Sequence, residues 1–247
     1  PDEITAAALD ALLHEAMDDP TLGPVVDDVQ FLRRVSLDLV GRQPTLDEFH
    51  KFLQAPDAER RQLAVERLLP SPDFGQNWGN FWSDVIGSRQ PERELTFLNY
   101  QTFSKWLAEK LNAGVGWDEI VFQMITAIGT VGENPQGAFI GFHQGEANKL
   151  AGETTRVFLG VKIACAQCHD HPFIEMPQET FHGFAAFFVR TKVKLPWNDS
   201  DLIEISSNEK AEHRMPDSQE MMQPAIFNEN PSELGMPDLD RRERLAY

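Results

Sequence analysis

Cysteine is scarce in this chain: two residues in 247. A disulfide-stapled scaffold is therefore excluded, and the fold has to rest on a buried apolar core. Positive charge is also in short supply, with 22 Lys and Arg against 39 Asp and Glu and a net charge of -17. A nucleic-acid surface needs clustered cations, so that class is set aside, and basic or neutral partners are expected instead. No apolar run approaches the roughly 20 residues that cross a bilayer. Neither a nucleophile elbow, a phosphate-binding glycine loop nor a zinc-hydrolase helix occurs. The alternating strands of a doubly wound sheet are missing, and so are internal repeats. What is left, at 41% apolar and 25% charged residues, is the composition of a globular domain.

Helical punctuation fills the first two thirds. In "VQFLRRVSLDLVGRQPT", Val29, Leu32, Val35 and Leu39 recur at helical spacing. Gly41 supplies a left-handed stop, and Thr45 with Glu48 forms a capping box for the next helix. "DAERRQLAVERLL" gives another, ending at Pro70. Ser71 followed by Pro72 is an N-cap with proline at the first helical position, opening "SPDFGQNWGNFWSDVIG". Two further helices are read in "RELTFLNYQTFSKWLAEKLN" and "GWDEIVFQMITAIG", where Asp118 and Glu119 favour a helix N-terminus. The glycine-rich "GTVGENPQGAFIGF" reads as a loop. From about Ala147 a helix through "TTRVFLGVKIA" leads to the cysteines, and Pro177 opens a last one with Phe181, Phe184, Ala185 and Phe188 on one stripe. Beyond Arg190 turn formers and short alternating pieces dominate, a loop region with one candidate β-hairpin. The fold class is mostly α: one multi-helix domain over 1–190, and an irregular extension over 191–247 packed on it. The start at Pro1 and the stop within "DRRERLAY" lead to the expectation of a piece of a longer polypeptide.

Both cysteines fall in "ACAQCHDHPF", three residues apart, with histidine directly behind. Random placement would do this on the order of once in a few thousand chains. Three chemistries compete for C-x-x-C-H. Cys165 and Cys168 span the two vinyl groups of a haem, with His169 beneath the iron. Alternatively they form a thiol-disulfide pair, or they bind zinc together with His169 or His171. In a helix His171 points about 200° away from His169, and Pro172 keeps it extended. It is therefore read as an anchor for the loop, a propionate contact or a cap. Arg156 and Lys162, just ahead, are candidate propionate partners. For a distal position the candidates are His182, Met215 and Met221, with His143, Met176 and Met222 behind them. A methionine there would raise the potential, and an empty position would admit small ligands.

"FLRRVSLDLVGRQPT", "FWSDV", "TTRVFLGVKIACAQCHDHPF", "FHGFAAFF" and "DRRERLA" occur in this order. In them the chain resembles the planctomycete cytochrome-c-like domain of large exported proteins, a domain of unknown function. The resemblance implies covalent haem c on Cys165, Cys168 and His169. It also implies a periplasmic or otherwise extracytoplasmic location and neighbouring domains in the same polypeptide. The expected function is electron transfer to a redox partner domain or protein rather than catalysis. The helix from Arg156 to Ala164 and the Phe181 to Phe188 stripe are expected to wall the haem from water. The alternatives are a non-redox scaffold whose Cys/His cluster holds zinc or a disulfide, and an open-site haem enzyme.

Overall fold

In the computed structural model, residues 5–17, 24–88, 100–195, 203–227 and 231–246 are described. Most of them are helical, with a small antiparallel sheet toward the C-terminus. α1 (Ala6–Ala16) is exposed along much of its length. α2 (Asp28–Val40) is capped by Asp27, whose carboxylate accepts from Gln30 N at 2.8 Å, and it ends at Gly41 with φ +68°. A Cβ there would need the left-handed region that glycine enters without strain. α3 (Leu46–Gln54) opens with the expected capping box, Thr45 and Glu48 each bonding the other's backbone. The Arg42 guanidinium, 2.9 Å from Glu48 and 2.7 Å from Asp73, holds the Glu48 carboxyl down at about 2. With α4 (Arg60–Leu68) these helices bury Leu32, Phe52 and Ala64 in a small core of their own.

α5 (Pro72–Ser83) starts at Ser71 with proline in its first turn and runs into a π-helical turn over Asp84–Ser88. It packs closely on α6 (Tyr100–Asn112), whose Phe103, Trp106 and Leu107 face the main core. The expected start of α6, from Arg93, lies outside the described residues. The contact is close because Gly75 and Gly79 have no side chains. A Cβ on Gly75 would fall 2.3 Å from the Ala108 carbonyl oxygen, and one on Gly79 2.7 Å from that of Ser104. α7 (Trp117–Ile125), α8 (Ala138–Phe142), α9 (Ala147–Phe158) and α10 (Gln178–Ala185) surround the rest of that core.

One expectation changes and another is met. The glycine-rich stretch is not simply a loop: it holds β1 (Gly129–Thr130), a 3-10 turn and the buried α8. Burial of Phe139, Ile140 and Phe142 forces the backbone there to bond internally. The candidate hairpin is present as β2 (Thr191–Lys194) paired antiparallel with β3 (Glu204–Ser207), and β1 joins the other edge of β3 in the order β1-β3-β2. α11 (Asp238–Ala246) closes the described chain with Arg241 and Arg242 fully buried. Arg242 pairs with Asp238 at 2.8 Å and donates to the Ile125 and Ala127 carbonyls, and Arg241 donates to that of Ala186. Two buried cations are tolerated because their N–H groups meet a carboxylate or the free carbonyls at helix ends.

Candidate functional site

The cysteine turn is reached through a break in helix that periodicity alone did not place. α9 ends at Phe158, not Ala164, because Gly160 takes φ +69° and Val161 N bonds back to the Thr155 carbonyl at 3.0 Å. Residues 161–163 run on without helix, and a single 3-10 turn follows over Ala164–Gln167. In such a turn residues three apart lie above one another. Ile163 and Ala166, both 0% exposed, therefore face inward, while Cys165 and Cys168 share the outer face as exposed free thiols. The spacing that puts two sulfurs on one side is thus set by what the turn buries on the other.

His169 is exposed, and its Nδ1 lies 2.7 Å from the Asp170 carbonyl oxygen. A carbonyl can only accept, so Nδ1 carries the proton and Nε2 is left with its lone pair. His171 anchors the following loop: its N–H bonds the Met176 carbonyl at 2.9 Å, and its Nδ1 accepts from Phe173 N at 3.2 Å. Asp170 accepts from Gln178 N at 2.9 Å, capping α10 in place of Pro177, which has no capping group. Phe173 and Ile174, in the loop that follows, are 88% and 47% exposed.

Beneath the turn, the Gln167 carbonyl accepts from Gln178 Nε2 at 3.0 Å and from His182 Nε2 at 3.1 Å. His182 is 1% exposed, and its other nitrogen lies 2.8 Å from His213 Nε2, the rings stacked at 5.0 Å. Since Nε2 of His182 must donate, its Nδ1 accepts from His213. Burial lowers the pKa of both rings, His213 to about 4. The chain of bonds runs from the motif backbone through two neutral imidazoles into the C-terminal segment.

Other expected site residues are placed elsewhere. Arg156 is 2.8 Å from Glu153 and bonds the Val85 carbonyl at 3.1 Å, so its guanidinium is engaged toward the π-helical turn. The Phe181 to Phe188 stripe is fully buried in the core under Ile163 and Ala166, and it walls the inner side of the turn instead of the thiol side. Among the distal candidates, His182 has both ring nitrogens bonded, Met215 is 7% exposed, and Met221 lies 45% exposed on a bridge with Arg214. Met176 shares the loop with His171. Sequence reasoning missed Gln167, Gln178, His213 and the Asp170 side chain, whose partners lie eight or more residues away and leave no local pattern.

The donor set fits haem attachment: two accessible thiols on one face and an imidazole with its Nε2 lone pair available. It does not fit a tetrahedral ion as well, since no group of three or more His, Cys, Asp or Glu stands close enough to hold one among the described residues. No described helix is long and apolar enough to cross a membrane. The family model PSCyt2, described as a protein of unknown function (DUF1549), matches residues 8–193 and takes in the whole cysteine turn. No curated protein matches the chain, and no solved structure does.

Proposed function

The chain belongs to the PSCyt2 family of planctomycete cytochrome-c-like domains, and on that premise we propose that it carries one c-type haem outside the cytoplasm and passes electrons to a partner. The observation that carries this reading is the cysteine turn: Cys165 and Cys168 are free and exposed on one face, with the proton of His169 held on Nδ1 by the Asp170 carbonyl. Haem, when bound, supplies a one-electron couple at its iron.

The chain's own residues do the rest. Cys165 and Cys168 would hold the haem covalently, each S–H adding across one vinyl group so that atoms balance without an oxidant. His169 would hold the iron through Nε2, and the Asp170 carbonyl fixes its ring and tautomer. Gln167, clamped by His182 and Gln178, keeps the two sulfurs from drifting apart. Phe173 and Ile174, exposed in the loop after the motif, offer apolar surface for contact. The net charge of -17 favours a partner with a basic docking face. The location beyond the membrane and the neighbouring redox domain rest on the resemblance to large exported proteins.

Intact mass spectrometry on the exported full-length protein tests the reading. The expected mass is that of the amino acids plus one haem, with a colour that survives acid-acetone extraction. Cys165→Ala and Cys168→Ala together should abolish the added mass. His169→Ala should keep it but shift the visible spectrum. A mass equal to the amino acids alone, or sulfurs joined to each other or to a bare ion, overturns the proposal.

A further inference from the structure

α1 is the anomaly of the fold. It is a helix of 11 residues, none of which belongs to either apolar core, and its residues from Ala7 to Ala16 are all exposed. A helix shorter than roughly 12–15 residues is marginal in water unless something packs on it. The bond from Ala8 N to Thr5 Oγ1 at 3.2 Å caps only its first turn. Yet the sequence is amphipathic. Leu9, Leu12, Leu13 and Ala16 recur at i, i+3, i+4 and i+7, and the three leucines are half or more exposed. Asp10 and Glu15 flank this stripe, one on either side. Such a stripe is built to be covered.

The outer face of α2 has the complementary character. That helix buries Leu32, Ser36 and Val40. Beside the buried row Val29, Arg33 and Leu37, four apart, form an exposed ridge, and Val25 stands exposed just before the helix. Arg33 and its neighbour Arg34 have no hydrogen bond or ion pair among the described residues. Every other described arginine has a partner. Asp10 and Glu15 on α1 are equally unpaired among the described residues. The sign of charge matches over a longer stretch too. The first 23 residues hold Asp2, Glu3, Asp10, Glu15, Asp18 and Asp19 and no lysine or arginine.

We propose that α1 of one copy docks on the outer face of α2 in a second copy, and reciprocally, so that the chain forms a two-fold dimer by exchange of this helix. Leu9, Leu12 and Leu13 cover Val29 and Leu37, and Asp10 and Glu15 meet Arg33 and Arg34. The apolar stripe supplies the affinity, and the opposite charges select the partner face and its register. Within one chain the two faces do not meet, since Leu12 and Val29 are both exposed. A second copy covers both at once. Exchange also doubles the contact, toward the roughly 800 Å² per partner of a standard interface. The contact shares no residue with the cysteine turn, so it stands or falls apart from haem.

Sedimentation of the full chain over a wide range of concentration tests this, with a monomer–dimer equilibrium as the expected result. Leu12→Glu puts a carboxylate into the apolar contact and should raise the dissociation constant at least about tenfold. Arg33→Glu with Arg34→Glu should raise it by about tenfold, and adding Asp10→Lys with Glu15→Lys to that chain should restore it. All of these positions are exposed, so each variant should keep the circular dichroism of the wild type. A monomer at every concentration, whether or not α1 folds onto its own α2, overturns the proposal. So does a dimer that Leu12→Glu leaves intact, or a charge reversal that has no effect or is not rescued.

Discussion

His143 makes the fold acid-sensitive by an amount that the structure allows to be worked out. It closes α8, is 0% exposed, and stands edge-on to the Phe139 ring at 5.2 Å. Burial, with the Lys149 and Arg156 charges from α9 adding to it, pulls its pKa from 6.5 down to about 3. The native state therefore holds this ring neutral while the unfolded chain takes up a proton as pH falls. Unfolded molecules bind more protons, so stability is full above 6.5 and declines as pH drops from 6.5 toward 3. At pH 5 the unfolded chain gains about 2 kcal/mol from this ring and the native state almost nothing. Against a typical total of about 5–15 kcal/mol that loss is easily measured. Urea unfolding of the wild type and of His143→Leu across pH 5–7 isolates it. The variant's own packing change is constant with pH, so the difference in slope, approaching about 1.4 kcal/mol per pH unit below 6, belongs to His143 alone. Parallel slopes in the two proteins would refute the reasoning.

Three shorter expectations concern the rest of the fold. Gly79→Ala places a Cβ 2.7 Å from the Ser104 carbonyl and 3.0 Å from Ala108 N, forcing α5 and α6 apart. A loss of about 1–3 kcal/mol in thermal unfolding is expected, and an unchanged melt would mean that the helices are not in this contact. Asp238→Asn leaves Arg242 buried without its carboxylate; the expected cost is about 3–5 kcal/mol in urea titration. His213→Phe deprives the buried His182 Nδ1 of its donor. That should cost about 1–3 kcal/mol and leave any haem mass on the cysteines unaltered.

The helix ends were legible in the sequence because the interactions that make them span three or four residues. Thr45 reaches Glu48, Ser71 precedes Pro72, and Gly41 needs only its own φ. The C-x-x-C-H spacing was legible for the same reason, since one tight turn aligns residues three apart whatever surrounds it. Periodicity failed where one glycine overrode it: apolar residues continue past Gly160, but its left-handed backbone ends α9. It failed again in the glycine-rich stretch, where burial between distant elements made a strand and a helix that local propensity does not favour.

The amino-acid order by itself determined a helical protein with one closely spaced cysteine pair followed by a histidine. Tertiary packing decided which way that pair faces, by sinking Ile163 and Ala166 into the aromatic core. It also decided that His182 clamps Gln167 and does not stand free, and that Arg242 reaches across to the carbonyls of Ile125 and Ala127. These partners lie 15 to 117 residues apart where they are bonded. No rule based on neighbours three or four places away carries that information, because what selects each partner is the space that the whole core leaves for it.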